Sequence, residues 1–319
     1  MEPERRGFMK KYCFGVDVGG TTVKIGLFDK EGTILDKWEI PTRTADGGKE
    51  ILPDIAKALQ KKLDEKGIVK DEVIGVGIGA PGPIDQEGTV YKAVNLGWGV
   101  FSIRDTLSGL CGLPVRAGND ANVAALGEMW KGGGQGYKNL VLVTLGTGVG
   151  GGIIIDEKIM SGATGAAGEI GHIHIQDDEE DACGCGNHGC LEQYASATGI
   201  VRLANRRLKA TDEDSVLRKG NVSAKSVFDA VKEGDAVAVQ IAEEFGEYLG
   251  KGLAAIACVV NPEAFVIGGG VSKAGDILFS FIEKNYKKYV FHGSRDAKFE
   301  LATLGNDAGI CGAAKLILE

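Results

Sequence analysis

The chain has 319 residues, of which 44% are hydrophobic and 25% charged, with a formal net charge of −8. That length predicts about two domains, and the acidic balance excludes a nucleic-acid scaffold that works through a basic surface. A nucleotide ligand stays open, because magnesium can supply the missing positive charge.

The opening, MEPERRGFMKKYCFGVDV, holds no apolar run of signal-peptide length, and the first strand follows at once. The most apolar window, GLAAIACVVNPEAFVIGGG, is interrupted by Asn261, Pro262 and Glu263 and does not read as a membrane span. Seven cysteines are an odd number, and Cys13, Cys111, Cys258 and Cys311 are scattered through apolar segments, unlike a secreted disulfide framework. A cytoplasmic protein without membrane or nucleic-acid partners is expected.

Glycine is the unusual component, 50 residues, about twice its average share. In chain order, FGVDVGGTTVKIGLF reads as strand, glycine turn and return strand, and GKEILPDIAKALQKKLDEKG as an amphipathic helix. VIGVGIGAPGPI and LPVRAG are strands, and the short helix ANVAALGEMWKGG closes on glycines. LVLVTLGTGVGGGIIID is a second glycine hairpin. The long helix GDAVAVQIAEEFGEYLGKGLAAIACVV changes from amphipathic to nearly all apolar, as a helix entering a core would. AFVIGGGVSKAG, AGDILFSFIEKNYKK and NDAGICGAAKLIL complete an α/β pattern. The two hairpins can be laid over each other at an offset of 127 residues, Asp17 to Thr21 on Thr144 to Gly148, as an internal duplication would place them.

A Walker A loop is absent. The pattern G-x-G-x-x-G occurs at 77 to 82 and 146 to 151, but the first runs into Pro81 and Pro83 and the second into a strand, so neither is a dinucleotide fingerprint. The hairpins suit phosphate by another geometry. Closely spaced glycines, Gly19 next to Gly20 and Gly146 one residue from Gly148, leave backbone N–H groups unshielded. Thr21, Thr22 and Thr147 add hydroxyls, and Asp17 stands where it can hold magnesium through its water shell. Either hairpin alone is equally well a plain turn; two of them, both with threonine and one with an aspartate, favour phosphate.

These motifs resemble the phosphate 1, phosphate 2 and adenosine motifs of the actin-like sugar kinases, in DVGGTTVKIG, LGTGVGGG and GGGVS (with Gly269 and Gly270). GAAGEIGHIHI followed by CGCGNHGCLEQYASATG is similar more narrowly to the ROK family (repressors, open reading frames, kinases), and to its bacterial glucokinases in particular. The resemblance implies two actin-like (ribonuclease H-like) α/β domains around a cleft. The expected division is a small domain, 1–118, to which the C-terminal helix 305–319 returns, and a large domain, 119–304. It implies Asp120 as general base and Asn119, Asp120, Glu169, His172 and Glu192 as sugar ligands. The residues themselves agree in part: Asp120 follows a strand and precedes a helix, a rigid support, though capping that helix is an equally ordinary task for an aspartate.

His172, Cys183, Cys185 and Cys190 are spaced H-x10-C-x-C-x4-C. Three thiolates and an imidazole make a closed structural zinc set, with three reduced thiols in a loop as the plain alternative; His174 and His188 are spare imidazoles. With the resemblance, zinc is favoured, orienting His172 and stapling GEIGH to CLE. The reaction implied is phosphoryl transfer from magnesium-ATP to the 6-hydroxyl of a hexose, glucose first, in a dimer or tetramer. N-acetylhexosamine or fructose kinases and non-catalytic sugar sensors share the same core, and polyphosphate stands as an alternative donor. About eleven residues precede the first strand, too few for the DNA-binding helices of the family's repressors, which favours a kinase.

Overall fold

The computed structural model describes residues 10–319; the segment 1–9, part of the opening that carries no signal-peptide run, lies outside the described residues. The chain divides into two compact units, residues up to 132 with 159–167 and 306–319, and residues 133–158 with 168–305.

The first unit is built on strands β1 (Tyr12–Val18), β2 (Thr22–Asp29), β3 (Ile34–Pro41), β4 (Val73–Ala80) and β5 (Val115–Asn119). They form one sheet in the order β3-β2-β1-β4-β5. β1 and β2 run antiparallel through the glycine turn, whereas β4 is parallel to β1 and so needs a crossover. Helix α1 (Ile51–Lys66) supplies it, burying Ile51, Leu52, Ile55, Ala56, Leu59 and Leu63 at helical spacing. Helices α2 (Ile103–Cys111) and α3 (Asp120–Lys131) flank β5 in sequence.

The second unit repeats the plan with β6 (Leu140–Leu145), β7 (Val149–Ile155), β8 (Lys158–Ile159), β9 (Ala264–Gly268) and β10 (Lys298–Leu301), in the order β8-β7-β6-β9-β10. Val18 and Leu145 end the outgoing strands, and Thr22 and Val149 open the return strands, at the same 127-residue offset as in the sequence. Between β8 and β9 come α4 (Ala197–Ala210), α5 (Ala224–Lys232) and the long α6 (Ala236–Val260), followed after β9 by α7 (Ile277–Tyr289). β9 is buried at all five positions, as a central parallel strand covered on both faces would be. No helix among the described residues is long and apolar enough to cross a membrane.

The last helix, α8 (Ala308–Leu318), packs in the first unit. It lies against backbone. A Cβ on Gly15 of β1 would stand 2.0 Å from the Ile310 carbonyl oxygen, and one on Gly77 of β4 1.7 Å from that of Ala313. A Cβ on Gly127 of α3 would stand 2.2 Å from the Ala308 carbonyl oxygen, and one on Gly312 of α8 1.7 Å from that of Val123. This contact corrects the expected boundary at residue 118: α3 is fastened to α8 and β4, so the first unit continues to Gly132. Gly77→Ala is expected to destabilise the protein by about 1–3 kcal/mol or more through overpacking, read as a lower urea midpoint.

Candidate functional site

Each unit presents its own share of the expected residues. In the first, Asp17 lies on β1 beside Gly79 of β4 and across from Lys24 of β2. The amino end of α8 closes on it: a Cβ on Gly309 would lie 2.5 Å from Asp17 Cγ. Burial pushes its carboxyl up to about 6; Lys24 opposes the shift and the charge of Asp120 adds to it.

The turn beyond Asp17 is tightly bonded. The Gly19 N–H donates to the Thr22 carbonyl at 3.0 Å, the Thr42 hydroxyl to the Gly19 carbonyl at 2.7 Å, and the Thr42 N–H to the Thr21 carbonyl at 2.9 Å. One of the donors expected to face an anion, Gly19 N–H, is therefore spent inside the hairpin. Gly20 differs: a Cβ there would meet nothing within 4 Å. No packing of the described chain calls for glycine at that position, whereas close approach of a ligand to the backbone would.

Asn119 and Asp120 divide their tasks at the start of α3. Asn119 is the cap, its Oδ1 accepting from the Ala121 and Asn122 N–H groups at 3.0 and 3.2 Å, while its Nδ2 donates to the Gly82 carbonyl at 3.0 Å. The capping task that competed for Asp120 thus falls to its neighbour. Asn119, expected as a sugar ligand, has its carbonyl oxygen committed to the helix. Asp120 occupies the first helical position and accepts from Ala121 N–H at 2.8 Å. Burial raises its carboxyl above the ordinary value, against backbone donation from Ala121.

In the second unit the turn of Gly146, Thr147 and Gly148 is held by the start of α4. Ala197 N–H donates to the Gly146 carbonyl at 2.8 Å, and the Thr198 hydroxyl donates to the Thr147 carbonyl. The Gly146 N–H is spent on the Gly148 carbonyl at 3.0 Å, but the space over Gly146 and over Gly270 is open, with nothing within 4 Å of a Cβ. Gly269 is required by the fold itself, since its φ is +85° and a Cβ would strike the Leu145 carbonyl at 2.5 Å.

Glu169, His172 and Glu192 come together in this unit. His172 Nε2 stands 3.9 Å from Glu169 Oε2, and its Nδ1 3.8 Å from Glu192 Oε1. His172 Nδ1, Cys183, Cys185 and Cys190 form the cysteine–histidine cluster, with one ligand atom from each lying within 4.8 Å of all the others. Cys185 and Cys190 sulfurs are 3.7 Å apart, and Cys183 Sγ is 3.8 Å from His172 Nδ1. Ligands about 2.3 Å from a zinc ion at tetrahedral angles are roughly 3.8 Å from one another, so the set fits that ion. Burial pushes the Cys183 thiol up to about 12, and in this state it donates to Glu192 Oε1 at 2.9 Å. The spare histidines are engaged elsewhere: His174 with the His188 carbonyl and Asp177, each at 3.0 Å, and His188 Nδ1 with the Glu179 carbonyl at 2.9 Å. A cavity of about 420 Å³ opens beside the cluster, lined by Thr147, Gly148, Cys183, Glu192, Thr198 and Arg202 among others.

A group that the sequence reading passed over is Glu179, almost fully buried beneath the cysteine segment. Its surroundings, Arg202, Arg206 and Tyr194, lie up to 27 residues away, and no spacing rule joins a loop glutamate to them. Burial pushes its carboxyl up, but donation from Tyr194, Arg202 and the Asp181 N–H outweighs burial and holds it down at about 2.

The ROK family pattern matches residues 13–319, and the chain belongs to the ROK family. A glucokinase of Halalkalibacterium halodurans is 47% identical over 315 residues, covering 97% of this chain and 96% of that protein. The crystal structure of a ROK family glucokinase from Streptomyces griseus in complex with glucose and AMPPNP superposes with a TM-score of 0.73 at 39% identity, covering 96% of this chain and 98% of that one. A xylose repressor of Caldicellulosiruptor bescii is 31% identical over 310 residues, which span 96% of this chain and 77% of the repressor. The likeness to ROK kinase structures makes both units actin-like.

Because the folded value of Glu179 lies below the ordinary carboxylate value, the stability it contributes is complete above about pH 4.5 and is lost as pH falls towards about 2. Acid titration of metal-free protein is expected to show this loss, a few kcal/mol, and Glu179→Gln is expected to lack it.

Proposed function

We propose that the protein is an ATP-dependent kinase that transfers the γ-phosphoryl group to the 6-hydroxyl of glucose. The relatives support it: full-length glucokinases at 36 to 47% identity stand among them. The observation that carries the chemistry is Asp120, half-buried on the first turn of a helix already capped by its neighbour. A carboxylate in that position is rigid and partly desolvated. It is suited to take the proton of a sugar hydroxyl as the hydroxyl oxygen attacks phosphorus and the bond to the departing ADP breaks.

Asp17, Thr21, Thr22 and the turns at Gly19–Gly20 and Gly146–Gly148, with Gly269 and Gly270, form the triphosphate and adenosine positions of this reading. Magnesium, carried in with ATP, would neutralise charge on the phosphates, and Asp17 is the residue to hold its water shell. Glu169, His172 and Glu192 are read as acceptors and donors for the sugar hydroxyls, with Asn119 contributing chiefly through the helix start that fixes Asp120. Bound zinc would fix the ring of His172 through Nδ1, leaving Nε2 on the side of Glu169 for substrate. A cytoplasmic homo-oligomer completes the reading.

Asp120→Asn is expected to keep the fold and glucose binding while lowering kcat by about 10²–10⁴-fold; substantial turnover by the variant would overturn the assignment. As a base Asp120 works deprotonated, so kcat/KM should fall as pH drops through its raised value, above the ordinary carboxylate range. Purified protein is expected to carry one zinc ion per chain, and removing it by chelation should raise the KM for glucose; full affinity in metal-free protein would refute the metal's part. ADP release measured against glucose, mannose, fructose, allose, N-acetylglucosamine and N-acetylmannosamine tests the substrate. Preference for another sugar replaces glucose, and absence of sugar-dependent turnover in zinc-loaded protein replaces the kinase with a sensor.

A further inference from the structure

The charge cluster around Glu179 has no part in the reaction above, yet it lies against the segment on which that reaction depends. The Glu179 side chain is 2% exposed. The Tyr194 hydroxyl donates to one carboxylate oxygen and the Arg202 guanidinium to the other, the Asp181 N–H adds a bond of 3.0 Å, and Arg206 Nη2 lies 3.3 Å from Oε2. Arg202 also donates to Asp181 Oδ2 at 2.8 Å and lies over the Tyr194 ring, 5.5 Å from its centre. Tyr194 in turn stacks on Tyr248 of α6, with ring centres 4.2 Å apart.

Position in the chain gives these contacts their meaning. Glu179 and Asp181 lie on the arm that leads into Cys183, and Tyr194 lies on the arm that leaves Cys190 and carries Glu192. Arg202 and Arg206 are one turn apart on α4, whose start holds the turn at Thr147. Gln193 spans both arms as well, its Nε2 donating to the Asp181 carbonyl at 2.8 Å and its Oε1 accepting from Cys190 N–H at 3.0 Å. None of these residues belongs to the cysteine–histidine cluster. A buried carboxylate persists only when its charge and lone pairs are satisfied, so the four donors hold both arms and the helix to one another wherever Glu179 stays ionised.

We propose that Glu179 and Arg202 are a positioning pair that keeps the cysteine segment and Glu192 folded against α4 without any metal, so that zinc enters a loop already formed. The inference rests on the metal and sugar reading given above. It narrows the metal's task to aiming His172, and it places the register of Cys183 and Glu192 with the ion pair. Loss of the pair lets the arms separate, which loosens metal and sugar together and leaves the proton-accepting Asp120 of the other unit untouched.

The test uses the full chain with Glu179→Gln, which keeps the shape and removes the charge, and with Arg202→Lys, which keeps the charge and loses the fork. In metal-free wild type, amide hydrogen exchange across residues 180–192 is expected to stay slow, and in Glu179→Gln to become fast. Transfer of zinc to a colorimetric chelator should quicken by about 10–100-fold in Glu179→Gln, with a smaller increase in Arg202→Lys. The KM for glucose should rise by about tenfold or more at nearly unchanged kcat. Fast exchange in metal-free wild type overturns the proposal, as does a folded Glu179→Gln whose zinc transfer and KM match wild type. A parallel fall of kcat with the melting temperature marks a merely structural role and also overturns it. If Glu179→Gln does not fold, Arg202→Lys decides by the same measurements. Absence of glucose turnover in wild type counts against the kinase reading alone, because exchange and zinc transfer still decide the pair.

Discussion

The seating of the last helix on bare backbone is the contact on which the first unit depends. Four glycines on β1, β4, α3 and α8 bring main chain within what would be clash distance of any side chain. Dispersion and burial gained at this range come without side-chain entropy, but only glycine permits them. The consequences reach the chemistry directly. Because α8 sits this low, Gly309 at its amino end closes over Asp17, and because α3 is drawn to α8, the turn that carries Asp120 is held beside the same sheet. Two carboxylates thereby share one poorly solvated region, and burial raises both. A more loosely packed helix would admit water and leave both as ordinary acids.

The second unit solves a different problem with the same sheet. Its cysteine–histidine segment lies on largely irregular chain between β8 and α4, where isolated backbone bridges, His174 with Cys190 and Ala182 with His188, stand in place of a regular ladder. Irregular segments are held by side chains, and here the hold is doubled. One set of partners is the cysteine–histidine cluster, whose spacing of sulfur and nitrogen suits a tetrahedral ion. The other is ionic and buried, with Glu179 as its centre. Glu192 touches the first set through Cys183 and the turn at Val149 through its other oxygen, so a single carboxylate joins the cysteine–histidine cluster to the glycine turn.

The paired design also accounts for the glycines that fold alone does not require. Gly20, Gly146 and Gly270 have neither a left-handed backbone nor a neighbour that a methyl group would strike. They lie at the motif positions that resemble phosphate and adenosine contacts. Glycine there keeps the main chain accessible, which suits a ligand whose charged oxygens are met by N–H groups. Gly269 is a contrast within the same motif, fixed by its φ and by the Leu145 carbonyl.

Local pattern carried most of the architecture. The alternation of β-branched strands with amphipathic helices, the two glycine hairpins and their common offset, and the cysteine spacing are all properties of neighbours in the chain, and the structure keeps each of them. What remained invisible depends on residues far apart. The unit boundary moved from 118 to 132 because α3 is bound to a helix nearly two hundred residues later, through glycines whose purpose has no local signature. Asn119 took the capping task that the sequence left open to Asp120, a choice made by one side-chain rotamer and the carbonyl of Gly82. The Glu179 network escaped because a glutamate in an acidic loop reads as a solvated charge; only folding brings two arginines and a tyrosine around it and withdraws the water. Periodicity and spacing describe what a residue does to its neighbours in sequence, whereas burial and charge pairing are decided by the neighbours that tertiary structure supplies.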